Sequence, residues 1–297
     1  MGYLLKMNNN ESHDLIIIGA GLTGLHLAKS LQSLGVKSLL LEKSKGLGGR
    51  IATRRISDLG FDHGAPYLDS SQVLSEYASF SRDEKGFYLP GGMNQLPKTI
   101  ASGLEIRRNQ KLKVLQPDEN KWNLETEEGL KLQSRNLIIT APLPQALELL
   151  EANSLLLPKH EGLKTVHYTK ALIYLAVLKD LPAQFALSKN ESDKIFLMRE
   201  RKLHPQGIVM HLSASLSESL FDASEETILE KMREEFRQSS LGAFEVLIDE
   251  AKKWKFSRPR TTLPDTFTQI APGLFLTGDA FNGALYSANN IVHVLRS

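Results

Sequence analysis

Leu15-Ile16-Ile17-Ile18-Gly19-Ala20-Gly21-Leu22-Thr23-Gly24 decides how this 297-residue chain folds. Four consecutive apolar residues suit a strand buried on both faces, the pattern of a parallel sheet. They run straight into G-x-G-x-x-G, after which Leu22, Leu25, Ala28, Leu31 and Leu34 recur at helical spacing as far as Gly35. A second apolar run, Ser38 to Leu41, ends in Glu42. Strand, glycine loop, helix, strand and acid in that order make a βαβ unit for a dinucleotide. Gly19 allows the tight turn, Gly21 lets backbone approach a pyrophosphate, and Gly24 allows close helix–strand packing. With Ala20, Leu22 and Thr23 they present the free N–H groups and positive dipole end of a helix to phosphate. Glu42, beside Lys43, stands where an acid accepts hydrogen bonds from ribose hydroxyls. These residues alone do not choose between NAD and FAD.

Outward from that unit, a helix is predicted from Asn94 to Gly103, with Pro97 in its first turn, where proline is tolerated. Strands follow at Leu112 to Leu115, which includes Val114, and at Trp122 to Thr126, Leu130 to Gln133 and Leu137 to Thr140. Turn signals at Pro117-Asp118-Glu119-Asn120 and Gly129 make the first three a meander. Beyond Pro144 the character changes. A short helix runs to Glu151, strands are predicted at Ala171 to Leu178 and Ile208 to Ser213, and an amphipathic helix spans Glu225 to Gln238 with Ser224 as N-cap. A strand from Gly273 to Thr277, a Gly278-Asp279 turn and a helix over Leu285 to Leu295 close the chain.

Composition narrows the function classes. Hydrophobic residues make up 41% and charged residues 24%, a globular balance. A net charge of +2 calls for neither nucleic acid nor an anionic membrane. With no cysteine, disulfides, thiolate metal sites and a cysteine-linked cofactor are excluded. The histidines have no metal-ligand spacing, and Ser213-Ala214-Ser215 lacks the glycines of a nucleophile elbow. No apolar run reaches the roughly 18 residues of a membrane span. Met1 to Asp14, with a short apolar patch at Tyr3-Leu4-Leu5, lacks the apolar stretch and cleavage site of a secretory signal, and Asn8 to His13 reads as a loose polar leader. A cytoplasmic location is expected.

Glu42 is followed by Lys43-Ser44-Lys45-Gly46-Leu47-Gly48-Gly49-Arg50, with Thr53 beyond. This pattern resembles the FAD-binding amine oxidase superfamily. The resemblance implies that Gly48, Gly49 and Arg50 lie along the FAD pyrophosphate, where small residues admit phosphate and a guanidinium pairs with it. Phe61-Asp62-His63-Gly64-Ala65-Pro66-Tyr67 resembles the segment that runs past the flavin ring in this superfamily. Pro90-Gly91-Gly92-Met93 resembles its P-G-M segment. Gly273-Leu274-Phe275-Leu276-Thr277-Gly278-Asp279 resembles its late motif, where the acid meets the ribityl–phosphate region. Together they imply FAD contacts at Gly64, Ala65, Val114, Gly278 and Asp279. The renalase-like branch is closest, through Gly49-Arg50-Ile51-Ala52-Thr53-Arg54-Arg55 and Lys253-Trp254-Lys255-Phe256-Ser257-Arg258-Pro259. The match weakens between Leu155 and Gln238, and Ala280 to Asn290 departs from the family's Gly-rich tail.

The fold class expected is α/β: a Rossmann-like FAD-binding domain of the two-dinucleotide-binding-motif kind, with an interleaved α+β substrate domain. The first is assigned residues 1–70, 90–143 and 256–297, the second 71–89 and 144–255. The renalase-like resemblance implies an FAD-dependent oxidoreductase. It takes a hydride from a reduced nicotinamide-type (dihydropyridine) small molecule and passes electrons to oxygen, with FAD held non-covalently. The alternatives are an amine oxidase, a desaturase of an apolar substrate, or a flavin-binding protein without turnover. The flavin carries the chemistry, so no side chain is assigned as acid or base. Tyr67, Tyr88, Tyr286 and His63 are the pocket candidates. Oligomeric state is left open.

Overall fold

A computed structural model describes residues 11–56, 59–68, 72–83, 86–182, 195–239, 244–282, 290–291 and 294–295. The helix expected over 285–295 therefore falls mostly outside the described residues, and Tyr286 wholly so. In chain order the elements are β1 (Glu11–Ile18), α1 (Leu22–Ser33), β2 (Leu39–Glu42), β3 (Thr53–Ile56), β4 (Leu59–Asp62), α2 (Gln72–Tyr77), β5 (Ser81–Asp83), β6 (Gly86–Tyr88) and α3 (Gln95–Ile100). Next come β7 (Glu105–Arg108), β8 (Leu112–Asp118), β9 (Lys121–Thr126), β10 (Lys131–Ile139) and α4 (Leu143–Ala152). The remainder is β11 (Tyr168–Leu178), β12 (Ile195–Leu197), β13 (Gly207–His211), α5 (Ala214–Leu220), α6 (Glu225–Ser239), β14 (Val246–Pro259), β15 (Thr268–Ala271) and β16 (Leu274–Leu276). A 3-10 segment, Met198–Arg201, matters below.

These elements fall into two compact units. The first comprises Met1–Leu47, Ala101–Val166 and Thr262–Ser297; the second comprises Gly48–Ile100 and His167–Thr261.

The first unit is built on an eight-stranded sheet in the order β15-β16-β10-β1-β2-β7, with β9 joining β10 to β8. The apolar runs become its parallel strands. Ile16 pairs with Leu39 on one side and Leu137 on the other, and Leu137 with Leu274. Leu15 to Ile17, Leu39 to Leu41, Leu137 to Ile139 and Leu274 to Leu276 are all buried, as expected of a parallel sheet covered on both faces. The two strands predicted on either side of Ser134 form one, β10. Its first half pairs antiparallel with β9 and its second half parallel with β16.

The second unit is an antiparallel sheet, β12-β13-β11-β14. Alternation gives it two faces. Leu172, Tyr174, Ala176, Ile208 and Met210 pack against Phe221, Ile228, Met232 and Phe236, where α6 contributes its apolar stripe. Ile173, Leu175, Val177, Val209 and Phe196 face the other way, onto Ile56 and Phe61 of the β3–β4 hairpin. That contact explains why the unit boundaries differ from those read in the sequence. Residues 48–70 and 90–100 belong with the second unit, because the hairpin buries its apolar side on that sheet. Residues 144–166 belong with the first, where Asn153 at the end of α4 accepts a hydrogen bond from Leu115 N of β8.

Candidate functional site

The first unit brings the glycine loop and the acid together. Gly19 to Gly21 connect β1 to α1, and no side chain caps the first turn of α1. The N–H groups at a helix start have no intrahelical partner, so Leu22, Thr23 and Gly24 stand at an anion-receptive end. Glu42, at the end of β2, is buried. Its Oε2 accepts from Ala20 N (2.8 Å) and its Oε1 from Ser44 N (2.7 Å), which leaves a further lone pair on each oxygen. Gly24 admits no side chain, because a Cβ there would overlap the Gly19 carbonyl oxygen, whereas a Cβ on Gly21 would meet no protein atom. Space beside Gly21, an uncapped helix start and a braced acid fit a dinucleotide such as FAD. Gly278 and half-buried Asp279 follow β16, and Gly278 lies beside Thr140 at the end of β10. Both are thus at the carboxyl end of the parallel strands, where ligands bind in such sheets. Lys43 is exposed and donates to Gln145 (3.0 Å). Val114 is half-buried in β8, outside the parallel run.

The second unit holds the other candidates. Arg50 donates to the Phe256 and Ser257 carbonyls (3.4 and 3.2 Å) from the turn that carries Gly48 and Gly49. Residues 63–65 are tied to that turn. His63 N and Gly64 N donate to Ala52 O, and Ala65 N donates to Arg50 O. Gly64 has no room for a Cβ against the Arg50 carbonyl. His63 stacks on Trp254 (centroids 5.5 Å apart, 19° between planes), and Trp254 Nε1 donates to His63 O. Tyr67 and Tyr88 meet edge to face at 6.1 Å.

What sequence reasoning missed is the group that ties these together. Arg201, at the end of the 3-10 segment, is buried. Its guanidinium carbon lies 4.3 Å from the Tyr67 ring, 4.5 Å from Tyr88 and 5.8 Å from Phe196, and Nη1 donates to Pro66 O. Phe196 in turn meets His211 edge to face at 5.3 Å and Tyr67 at 5.6 Å. His211 is level with Ile173 of β11, which pairs on its other side with Lys252 of β14. Asp62 accepts from Thr53 Oγ1 and Met93 N through Oδ1. Asp62 Oδ2, His63 Nδ1, Arg201 Nη2 and His211 Nε2 are buried with no hydrogen-bond partner among the described residues. Unsatisfied buried polar atoms are costly in a native fold and single this cluster out as a candidate site.

The electrostatics of this constellation are positive. Burial, then the neighbouring cations Lys252 and Arg54, push the His63 imidazole down to about 4. Burial, with His63 and Arg201, pushes His211 to about 4 as well. Both rings are therefore neutral at pH 7. Burial raises the Asp62 carboxyl against the opposing pull of Thr53, Met93 and Arg201. Glu250 is shared between Arg54 and Lys252, each at 2.8 Å. No group of three or more metal-ligating side chains occurs among the described residues, and no helix there is long and apolar enough to cross a membrane.

Comparison with known proteins agrees with this geometry. A NAD(P)-binding Rossmann-like domain matches residues 17–80, and the flavin containing amine oxidoreductase family matches residues 59–290. Renalase of Mus musculus is 24% identical, with 95% of this chain and 98% of renalase aligned. Thiamine thiazole synthase of Pyrococcus horikoshii is 22% identical over 72% of this chain and 82% of its own length. Among solved structures, putrescine oxidase bound to putrescine superposes with a TM-score of 0.69 at 12% identity, covering 96% of this chain and 100% of that one. A fatty acid isomerase from P. acnes superposes with a TM-score of 0.67 at 12% identity, covering 95% and 98%. The family match extends over more than half of the sequence and spans the 61–67 segment, the sheet of the second unit and the late Gly-Asp motif. The chain therefore belongs to the flavin containing amine oxidoreductases and is an FAD-dependent oxidoreductase.

Proposed function

We propose that this enzyme oxidises a reduced nicotinamide-type small molecule, taking a hydride from its dihydropyridine ring and passing the electrons to oxygen. FAD, when bound, supplies the two-electron acceptor; with no cysteine in the chain, a thioether link to it is excluded and non-covalent binding is proposed. Gly19, Ala20, Gly21, Leu22, Thr23, Gly24, Glu42, Gly48, Gly49, Arg50, Gly64, Ala65, Gly278 and Asp279 are proposed as its contacts. Lys43 and Val114 are proposed as lesser contacts.

The observation that carries the choice of substrate is the charge around His63 and His211. Lys252, Arg54 and Arg201 outnumber the carboxyls of Glu250 and Asp62, the latter shifted by burial towards its neutral form, and both imidazoles are held neutral. An ammonium substrate would enter against that field, whereas a dihydropyridine ring is uncharged and its dinucleotide forms are anionic. The aromatic faces of Tyr67 and Tyr88, which would serve as a cage for an amine, already hold the Arg201 guanidinium. A carboxamide suits the unsatisfied atoms: its carbonyl accepts from Arg201 Nη2, and its amide N–H donates to His211 Nε2 or His63 Nδ1. Trp254 offers a planar surface beside them. The relationship to renalase over nearly the whole chain supports the same reading.

The test is anaerobic mixing of the yellow holoenzyme with reduced nicotinamides, isomeric forms included, and with diamines such as putrescine. Rapid loss of flavin absorbance with a nicotinamide, its return in air, and a drop of about tenfold or more in the reduction rate for His211→Ala are expected. Reduction by an amine and by no nicotinamide would replace this reading with amine oxidation.

A further inference from the structure

The β3–β4 hairpin has a second side. Arg54 points towards the sheet of its unit and meets Glu250. Arg55, the next residue of the strand, lies on the opposite face and lines a pocket of about 330 Å³. Lys98 enters this pocket from α3, whose Leu96, Pro97 and Ile100 are buried. Lys202 enters it from the end of the 3-10 segment. Lys202 has a left-handed backbone (φ 54, ψ 36), where glycine or asparagine is favoured. Arg201 turns inward at that point and Lys202 outward.

Arg55, Lys98 and Lys202 are exposed, and none of them makes an ion pair among the described residues; no carboxylate lines the pocket. Elsewhere this surface intersperses its charges. Lys111 meets Glu127, Lys113 meets Glu125, Lys164 meets Glu151 and Lys231 meets Glu234, all within 3.1 Å. Three cations around one concavity raise its potential and repel one another until an anion enters. The volume lies in the range of small-ligand sites. Asn94 adds an amide at the rim.

We propose that this pocket binds a phosphate-bearing small anion, with Arg55, Lys98 and Lys202 as its charge partners. The site is separate from the His63–His211 constellation, and the proposal does not depend on the choice of electron donor.

FAD-saturated holoenzyme is titrated with inorganic pyrophosphate at constant ionic strength, followed by calorimetry and thermal shift. Saturable binding is expected, weakened about tenfold by Lys98→Gln and about tenfold by Lys202→Gly, with FAD content unchanged. Lys202→Gly removes the cation and keeps the left-handed turn, so it separates loss of charge from loss of fold. Repeating the titration with saturating reduced dinucleotide identifies the source. Competition assigns the pocket to phosphates of the substrate, and independent binding assigns it to a separate phosphate ester. A non-saturating response, equal affinity in both variants, or loss of FAD in step with loss of pyrophosphate binding would overturn the proposal.

Discussion

The first unit assembles its candidate cofactor cradle from backbone, and the second assembles its candidate substrate surface from side chains. Around Gly19 to Gly24 the working groups are main-chain N–H donors, and the polar side chains that brace them are satisfied. Glu42 accepts two backbone hydrogen bonds, and Thr140 Oγ1 donates to the carbonyls of Ile18 and Gly19. Around His63 the working groups are Arg201, His211, Asp62 and Trp254, several of them with polar atoms left unsatisfied. The difference has a thermodynamic meaning. A phosphate cradle is a general device that costs little stability when built from glycine and a helix start. A surface that recognises one small molecule keeps buried polar atoms unpaired, and the rest of the fold must offset that cost.

The sharpest way to break this contrast is Gly24→Ala. The added methyl meets the backbone carbonyl of Gly19, which no side-chain rotation can relieve, so α1 must move away from β1. FAD affinity is expected to fall at least a hundredfold, read as flavin absorbance per protein after dialysis, while far-UV circular dichroism keeps its strand signal. A Gly24→Ala protein as yellow as the parent would remove the backbone cradle from the account.

Acid sharpens the contrast from the other side. The folded pKa values of His63 and His211 are depressed to about 4, below an unfolded value of about 6.5. Between those values the unfolded chain binds protons that the folded chain does not. Stability is therefore lost as pH falls from 6.5 towards 4, by roughly 2–3 kcal/mol for each imidazole. His211→Gln removes one of these protons from the balance. Urea unfolding at pH 7, 6 and 5 should show the variant gaining on the parent as pH falls. A constant difference between them would mean that His211 is not held neutral by the fold.

The same contrast explains what could be read from the chain. The βαβ unit was legible because its information lies within Leu15 to Glu42: a fully apolar strand, three glycines at fixed offsets and an acid. The Gly-Gly-Arg and Asp-His-Gly-Ala segments were legible by resemblance. β14 was not, because Asp249, Glu250, Lys252, Lys253 and Lys255 crowd a strand where alternation with apolar residues is expected. Its faces are satisfied by ions instead, Asp249 by Arg233 on one side and Glu250 by Arg54 on the other. The first half of β1 escaped notice for a related reason. Glu11 to His13 pair with Leu132 to Ser134 through backbone alone, and a ladder needs no apolar side chain. Arg201 and His211 carry no local signal at all. Only the pairing of β13 with β11, and the turn after Met198, bring them to Phe196 and Tyr67. The grouping of residues 48–56 and 59–68 with the second unit had no local signal either, because the burial of Phe61 on Ile173 is likewise a long-range event.

Asp249 tests the ionic account of β14. Its carboxylate accepts from Arg233 Nε and Nη2 (2.6 and 2.9 Å) and from the buried Tyr174 hydroxyl (2.8 Å). The Arg233 guanidinium holds its pKa below the usual carboxylate range. This contribution is present above the unfolded pKa of about 3.9 and disappears as pH falls through the lower folded value. Asp249→Asn should cost about 1–2 kcal/mol at pH 7 in urea unfolding, a cost that shrinks as pH falls below about 3.9. A cost that does not change as pH falls would assign the effect to packing.

The smallest effect expected is at Ser224, whose Oγ accepts from Thr227 N (3.2 Å) at the start of α6. Replacement by alanine removes that acceptor and should cost about 0.5–1 kcal/mol, whereas glycine should cost only a few tenths. The helix packs on the Tyr174 face of the sheet, and His211 lies on the other. Ser224→Ala should therefore lower the unfolding midpoint while leaving the visible flavin spectrum and the rate of reduction by the proposed nicotinamide donor as they are. A Ser224→Ala enzyme that keeps its midpoint but reduces more slowly would show that the two faces of this sheet are coupled. The substrate surface could then no longer be treated as a local arrangement of side chains around Arg201.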